Sequence, residues 1–140
     1  MASESIRSRG IFCDTSFFFA ALVSSDPNHQ RAKTALLEHT ETVLATTWDI
    51  VSETLTLLRY RGNYRLALAF LTQVKPHLDI LSYDPSIREE AEMVFKRFSK
   101  DKRLSFCDCI SFVVLKIRLP HHHVFSFDRD FRQFGFTLAC

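Results

Sequence analysis

The 140-residue sequence has only three glycines and four prolines, which leaves little material for linkers or long irregular loops. It contains no internal repeat and no apolar run long enough to span a membrane. Residues 1–9 are polar and lack the apolar stretch of a signal peptide. We therefore expect a cytoplasmic protein without a membrane segment, with a flexible N-terminus at 1–9 and a single domain at 10–140.

The four cysteines form no CxxC pair and lack the cysteine–histidine spacing of a zinc site, so we expect free thiols. A run of three histidines follows Pro120, but successive side chains point in different directions, and we interpret the run as a solvated turn. The 14 phenylalanines, against one tryptophan and three tyrosines, indicate an aromatic core. A net charge of +2 is too small to predict nucleic-acid binding by itself.

Short apolar segments alternate along the chain with helical patterns, which predicts an α/β fold with a parallel sheet covered on both faces. We expect Thr15 or Ser16 to cap the first helix. A later helix should run from Pro85 to about Phe98, followed by a polar loop at 101–103. A last, weak strand is predicted at 136–138. Binding sites in such sheets lie at the carboxyl ends of the strands.

Three acids are conspicuous because of where the pattern places them. Asp14 and Asp128 each follow a predicted strand, and Asp108 lies in the first turn of an apolar helix from Phe106 to Arg118. A buried acid needs a hydrogen-bonding or positively charged partner. Acids packed together repel one another unless a cation keeps them ionised, and carboxylate oxygens suit Mg²⁺ or Mn²⁺. Such an ion activates water and stabilises charge on a phosphodiester.

A structural interpretation of the same acids stays open. Asp14 and Asp128 also suit helix N-caps, and Asp108 suits the positive end of a helix dipole. A phosphoryl-transfer or receiver-type domain that uses Asp14 is a further possibility. That class requires a late lysine and a second acid beside the strand-end aspartate, and neither is found.

With these acids in these segments, the sequence resembles the PIN-domain ribonucleases, in particular the VapC-type toxins of type II toxin–antitoxin pairs. The resemblance covers nearly the whole chain and rests on four segments, which are Cys13–Phe17, Thr46–Arg59, Leu104–Phe112 and Phe125–Phe131. It implies an α/β/α sandwich of three layers with a central, mainly parallel sheet of four to five strands, and metal-dependent cutting of RNA. It also implies a homodimer that a small antitoxin inhibits.

The resemblance assigns roles to individual residues. The metal-binding, catalytic acids would be Asp14, Glu53, Asp108 and Asp128, with Mg²⁺ or Mn²⁺ as the cofactor. Glu53 enters only through the resemblance, because no local feature distinguishes it from an ordinary helix-surface glutamate. The residues hydrogen-bonded to this acid cluster would be Thr15 or Ser16, and Ser105.

Two positions depart from the family pattern. Asp130 stands where many relatives have histidine, and we expect it to pair with neighbouring arginines rather than bind a metal. Cys107 stands where a small hydroxyl or apolar residue is common. Because no acid is lost, we expect an active enzyme, and a catalytically silent RNA-binding or interaction domain of the same fold is the alternative.

Basic residues near these motifs are candidates for contacts with RNA phosphates. Two groups stand out, one around Gly62 and the other before the Asp108 helix, and they give the candidates Arg59, Arg61, Lys102 and Arg103. Phosphate contacts of this kind position RNA without specifying its sequence.

Overall fold

The computed structural model describes residues 10–140, and the predicted flexible N-terminus at 1–9 lies outside the described residues. Four parallel strands form one sheet in the order β3-β2-β1-β4. The strands are β1 Ile11–Cys13, β2 Leu44–Thr47, β3 Asp79–Leu81 and β4 His123–Phe125. The predicted α/β fold with a central parallel sheet flanked by helices is therefore confirmed.

The helices are α1 Thr15–Leu22, α2 His29–Glu38, α3 Trp48–Arg61, α4 Tyr64–Ala69, α5 Pro85–Lys102, α6 Phe106–Arg118 and α7 Arg129–Gln133. A π-helical segment, Phe70–Val74, and a 3₁₀ turn, Lys75–His77, continue α4 towards β3. None of the helices in residues 10–140 has both the length and the apolar character required to cross a bilayer.

The order of the strands explains the three layers. From β1 the chain moves outward to β2 and β3, and it then returns across the sheet to β4 on the other side of β1. Because crossovers between parallel strands are right-handed, a reversal of direction places the later helices on the opposite face from the earlier ones. The chain reverses between β1 and β4, and a crevice opens there at the carboxyl ends of the strands.

The core is rich in phenylalanine, as the composition predicts. The ring of Phe17 in α1 stacks on that of Phe125 in β4, with centroids 4.4 Å apart. Phe112 in α6 stacks on Phe134 in the same way, at 4.5 Å. The first strand is buried along its whole length, so it packs against helices on both faces of the sheet.

Three local predictions were wrong. The N-cap of α1 is Asp14 rather than Thr15 or Ser16, because the Asp14 carboxylate accepts a hydrogen bond from the backbone N–H of Ser16. Helix α5 extends past the predicted end near Phe98 to Lys102. Its C-cap is Arg103, whose φ of 51° lies in the left-handed region. The last strand is reduced to a single bridge between Val124 and Leu138.

Candidate active site

Two of the predicted acids lie side by side at the carboxyl edge of the sheet. Asp14 follows β1 directly, and Asp128 follows β4 after a two-residue connection. The two strands are neighbours, with Cys13 of β1 paired with Phe125 of β4. The backbone N–H of Asp14 donates to the Phe125 carbonyl at 3.0 Å, which holds the two strand ends together.

The carboxylate of Asp14 is buried, with 5% of the residue exposed. Its Oδ2 atom accepts hydrogen bonds from the Ser16 hydroxyl at 2.8 Å and the Ser126 hydroxyl at 3.0 Å. The weaker bond from the Ser16 backbone N–H, at 3.4 Å, ends on the same oxygen. A hydrogen bond from the Thr15 backbone also helps to stabilise the charged carboxylate.

The two serines also connect Asp14 to the segment that carries Asp128. The Ser16 hydroxyl accepts from the backbone N–H of Phe127, and the Ser126 hydroxyl accepts from that of Asp128, each at 3.0 Å. The hydroxyls lie 3.2 Å apart. Because each serine donates to Asp14 and accepts from the chain after β4, the positions of both acids are fixed by one hydrogen-bonded network.

Asp108 is held at the beginning of α6 by a capping box. Its Oδ2 accepts from the backbone N–H of Ser105 at 3.1 Å, and its own N–H donates to the Ser105 hydroxyl at 3.0 Å. Burial, with smaller contributions from the negative charges of Asp128 and Glu53, raises the pKa of Asp108 to about 6 despite these bonds. Asp108 therefore lies within electrostatic reach of two other predicted acids.

A cavity of about 430 Å³ brings the four predicted acids together. Its acidic lining consists of Asp14, Asp26, Glu53, Asp108 and Asp128. Glu53, on α3, also lies near the Cys107 thiol, whose pKa is raised by burial and by the Glu53 carboxylate. We call this space the acid cavity.

Other predicted residues divide into those inside and those outside this lining. Thr15, Ser16 and Ser105 line the cavity, as do Arg61 and Arg103. The Thr15 hydroxyl accepts a hydrogen bond from the hydroxyl of Thr54 at 3.4 Å, whereas its backbone N–H contributes a hydrogen bond that lowers the pKa of Asp14.

Three of the residues considered above lie outside the lining of the acid cavity, namely Arg59, Lys102 and Asp130. The Lys102 ammonium donates instead to the side-chain oxygen of Gln133 at 2.6 Å. Asp130 donates its backbone N–H to Asp128 Oδ1 at 2.9 Å.

Three further residues of the site, Ser126, Asp26 and Asn28, were not predicted from the sequence. Ser126 is inside the motif around Asp128 and is 1% exposed, yet serine in an apolar segment gives no local sign of its partner. Asp26 and Asn28 precede α2 in a turn, where both residue types are common for conformational reasons alone.

Helix capping does not account for the state of Asp14. Asp84 caps α5 with the same Asp–x–Ser geometry, accepting from the backbone and hydroxyl of Ser86. The hydrogen bond from the Ser86 hydroxyl lowers the pKa of Asp84, which is exposed. At Asp14, burial and, to a smaller extent, the nearby charge of Asp108 raise the pKa to about 6. A cap needs only the hydrogen bonds, so burial beside other acids points to a further role.

The donor set of the acid cavity fits a hard divalent cation, since carboxylate and hydroxyl oxygens are the ligands that Mg²⁺ and Mn²⁺ prefer. Burial and, to a smaller extent, repulsion from Asp128 and Glu53 raise the pKa of Asp108, and a bound cation would oppose both effects. Within residues 10–140, however, no three histidine, cysteine or acidic side chains form a preassembled metal site. Binding of an ion therefore requires some of these carboxylates to turn towards one another.

A larger cavity, of about 870 Å³, lies away from these acids. It is formed by α5, α6 and the segment after α7, and its lining includes Arg97, Phe98, Phe112 and Phe134 but none of the four predicted acids. Because the larger cavity contains none of the four predicted acids, the smaller acid cavity is the candidate active site.

Comparison with known proteins agrees with this fold. Residues 11–137 match the family model described as PIN domain. The chain belongs to the PIN domain family.

Among curated proteins, the chain is similar to the 23S rRNA-specific endonuclease VapC20 from two strains of Mycobacterium tuberculosis. Each is 30% identical over 128 residues, a match that covers 91% of this chain and 95% of the relative. Among solved structures, the crystal structure of Mycobacterium tuberculosis VapC20, described as a sarcin-ricin loop cleaving toxin, superposes with a TM-score of 0.80. That match has 31% sequence identity and covers 91% of this chain and 97% of the other.

Proposed function

We propose that this protein is a metal-dependent endoribonuclease that hydrolyses phosphodiester bonds of RNA and acts as the toxin of a toxin–antitoxin pair. The observation that supports the proposal most is the acid cavity, where four carboxylates share one space at the carboxyl edge of a PIN-domain sheet. The similarity to an endonuclease named for 23S rRNA favours RNA as the substrate.

We assign the metal-binding role to Asp14, Glu53, Asp108 and Asp128. When bound, Mg²⁺ or Mn²⁺ supplies activation of a water molecule and neutralisation of charge on the phosphodiester. Asp14 is already oriented by two hydroxyl donors, so it loses little side-chain entropy on binding an ion. Asp108 is oriented in the same way by its capping box.

The hydroxyls of Ser16 and Ser126 have a positioning role in this proposal. Both donate to Asp14, which favours its charged form, and both hold the chain that leads to Asp128. Arg61 and Arg103 line the same cavity, and we propose that their guanidinium groups bind RNA phosphates there. Arg59 and Lys102 lie outside its lining and are assigned no more than outer contacts.

We further propose that the protein works in the cytoplasm as a homodimer whose activity a small antitoxin blocks. The description of the structural relative as a toxin supports the antitoxin. Large apolar side chains exposed on α3 and α4, namely Trp48, Tyr60 and Tyr64, offer area for contact with another chain. Light scattering of the purified protein at several concentrations tests the dimer.

The proposed activity is tested with protein freed of any antitoxin. Labelled RNAs, including a 23S rRNA fragment with the sarcin–ricin loop, an unstructured RNA and a DNA of the same sequence, are incubated with Mg²⁺, Mn²⁺ or EDTA. We expect RNA cleavage that EDTA abolishes and either ion restores. RNA that is bound but left intact with both ions would instead support the silent RNA-binding alternative.

A further inference from the structure

A second cavity opens beside the acid cavity and carries the opposite charge. It measures about 610 Å³, and three arginines, Arg31, Arg129 and Arg132, line it. Asp128 is its acidic lining residue. We call this space the arginine pocket.

The two cavities are adjacent, because Asn28, Phe127 and Asp128 line both. Asp128 therefore stands at the boundary between an acidic space and a basic one. A polyanion cannot lie against several carboxylates without compensation, but it is attracted to a cluster of guanidinium groups. A strand with a reacting phosphate in the acid cavity would find its adjacent phosphates matched by the arginine pocket.

Arg31 is placed at this boundary by two contacts. Its guanidinium carbon lies 5.1 Å from the centre of the Phe127 ring, and its Nη1 donates to the side-chain oxygen of Asn28 at 3.4 Å. The Phe127 ring in turn stacks against Phe17 of the core, with centroids 6.1 Å apart. Packing of this kind reduces the number of rotamers that Arg31 would lose on binding a ligand.

Arg129 and Arg132 lie on α7, directly after Asp128, and both line the pocket from that helix. Across the pocket, burial raises the pKa of the Cys140 thiol, while the positive charge of Arg31 opposes the rise. The positive charge of Arg31 therefore acts on Cys140, which is another lining residue of the pocket. Guanidinium groups bind phosphate oxygens through paired hydrogen bonds, which makes a phosphodiester strand a suitable ligand.

We propose that the arginine pocket is the binding site for the phosphates of the RNA strand adjacent to the scissile bond. This inference rests on the proposed ribonuclease function, and it adds the path of the substrate. It adds a second set of phosphate contacts to those proposed for Arg61 and Arg103 in the acid cavity. An acidic protein segment would suit the charge of the pocket too, but the pocket adjoins the acid cavity, which favours a ligand with phosphates in both.

The test is the salt dependence of RNA binding, measured in EDTA so that the RNA stays intact. A fluorescent single-stranded RNA is titrated with wild-type protein and with the double variant Arg129→Gln/Arg132→Gln at several NaCl concentrations. For a single strand, each phosphate that a cation neutralises contributes about 0.7 to the slope of log affinity against log salt. We expect the slope to decrease by that amount for each arginine replaced, and binding to be roughly tenfold weaker at low salt.

Arg97→Gln is the matched control. The Arg97 guanidinium also lies 5.1 Å from the centre of a phenylalanine ring, that of Phe98, and it lines the larger cavity away from the acids. We expect its salt slope to equal that of the wild type. An unchanged slope in the double variant, or an equal fall in Arg97→Gln, would overturn the proposal.

Cleavage of the same RNA with Mn²⁺ separates this inference from the function on which it rests. If the pocket binds the substrate strand, the double variant has a raised KM and nearly the wild-type kcat. RNA binding with the predicted slopes but no cleavage by any form would refute the ribonuclease function and leave the pocket standing. Cleavage with the wild-type KM in the double variant would refute the pocket alone.

Discussion

Replacing Asp14 with asparagine removes a buried charge but keeps the shape of the side chain. The amide oxygen can still accept the hydrogen bonds that the Ser16 and Ser126 hydroxyls donate. In the metal-free wild type, burial and the charge of Asp108 hold the pKa of Asp14 at about 6, compared with its ordinary value of 3.8. A difference of about two pKa units corresponds to roughly 3 kcal/mol.

The sign of this effect follows from where the proton binds more tightly. Because the pKa is higher in the folded protein, the folded state retains a proton that the unfolded chain has already lost. Below pH 3.8 both states are protonated, and Asp14 contributes no penalty. Stability is lost as the pH rises from 3.8 to about 6, and the full penalty is present above that window.

We therefore expect Asp14→Asn to be more stable than the wild type in EDTA at about pH 7.5, by up to roughly 3 kcal/mol. At about pH 5 the gain should fall to roughly half of that value. Urea unfolding followed by circular dichroism at both pH values measures the difference. Substitutions that remove function but stabilise the metal-free fold are expected at functional sites, where residues are kept for activity at a cost in stability.

The control is Asp84→Asn, which alters an exposed cap of the same geometry. The hydrogen bond from Ser86 lowers the pKa of Asp84, so its charge favours the folded state at neutral pH. This variant should be less stable than the wild type at neutral pH, the opposite sign from Asp14→Asn. Equal or lower stability of Asp14→Asn at both pH values would refute the argument that Asp14 is a penalised buried charge.

Three further predictions concern metal, positioning and core. At neutral pH, Mg²⁺ or Mn²⁺ at about 100 times its dissociation constant should stabilise the wild type by roughly 2.7 kcal/mol, which thermal unfolding detects, while Asp14→Asn should respond far less. Ser126→Ala removes one hydrogen-bond donor to Asp14 and should raise the metal concentration for half-maximal cleavage by about tenfold or more, with the fold retained. If the same metal concentration gives half-maximal cleavage as in the wild type, Ser126 does not position Asp14. Phe17→Ala, at a side chain 1% exposed, should cost about 3–5 kcal/mol in urea unfolding, and Phe95→Ala, at one 42% exposed, should cost much less.

The strand ends and several caps follow from the sequence because their determinants are local. Serine at 105 followed three residues later by Asp108 predicts the start of α6, and Pro85 predicts the start of α5. Parallel strands place Asp14 and Asp128 at one edge once their order is known. The end of α5 was predicted too early, near Phe98, because the residues that follow are polar. Lys100 and Lys102 are nevertheless good helix formers, and the helix ends only at the left-handed Arg103.

The remainder of the site depends on contacts between distant parts of the chain. Glu53 has the pattern of a surface glutamate, and its approach to Asp108 comes from the way the fold brings α3 and the start of α6 to one cavity. Ser126 finds Asp14 across 112 positions of sequence, and Arg31 meets Phe127 in the same region. The periodicity of apolar residues predicts helices and strands but not contacts between distant residues. The contacts in the acid cavity and the arginine pocket could therefore be found only in the structure.

The most direct test of the central claim, that the acid cavity holds the ion that cuts RNA, is the cleavage rate of single amide variants purified in parallel with the wild type. Asp14→Asn and Asp108→Asn are compared with Asp84→Asn on one RNA, with saturating Mn²⁺ and with EDTA. We expect loss of cleavage in both cavity variants while the fold persists, wild-type cleavage in Asp84→Asn, and no cleavage in EDTA. Cleavage that persists in EDTA, or full activity in both cavity variants, would contradict it.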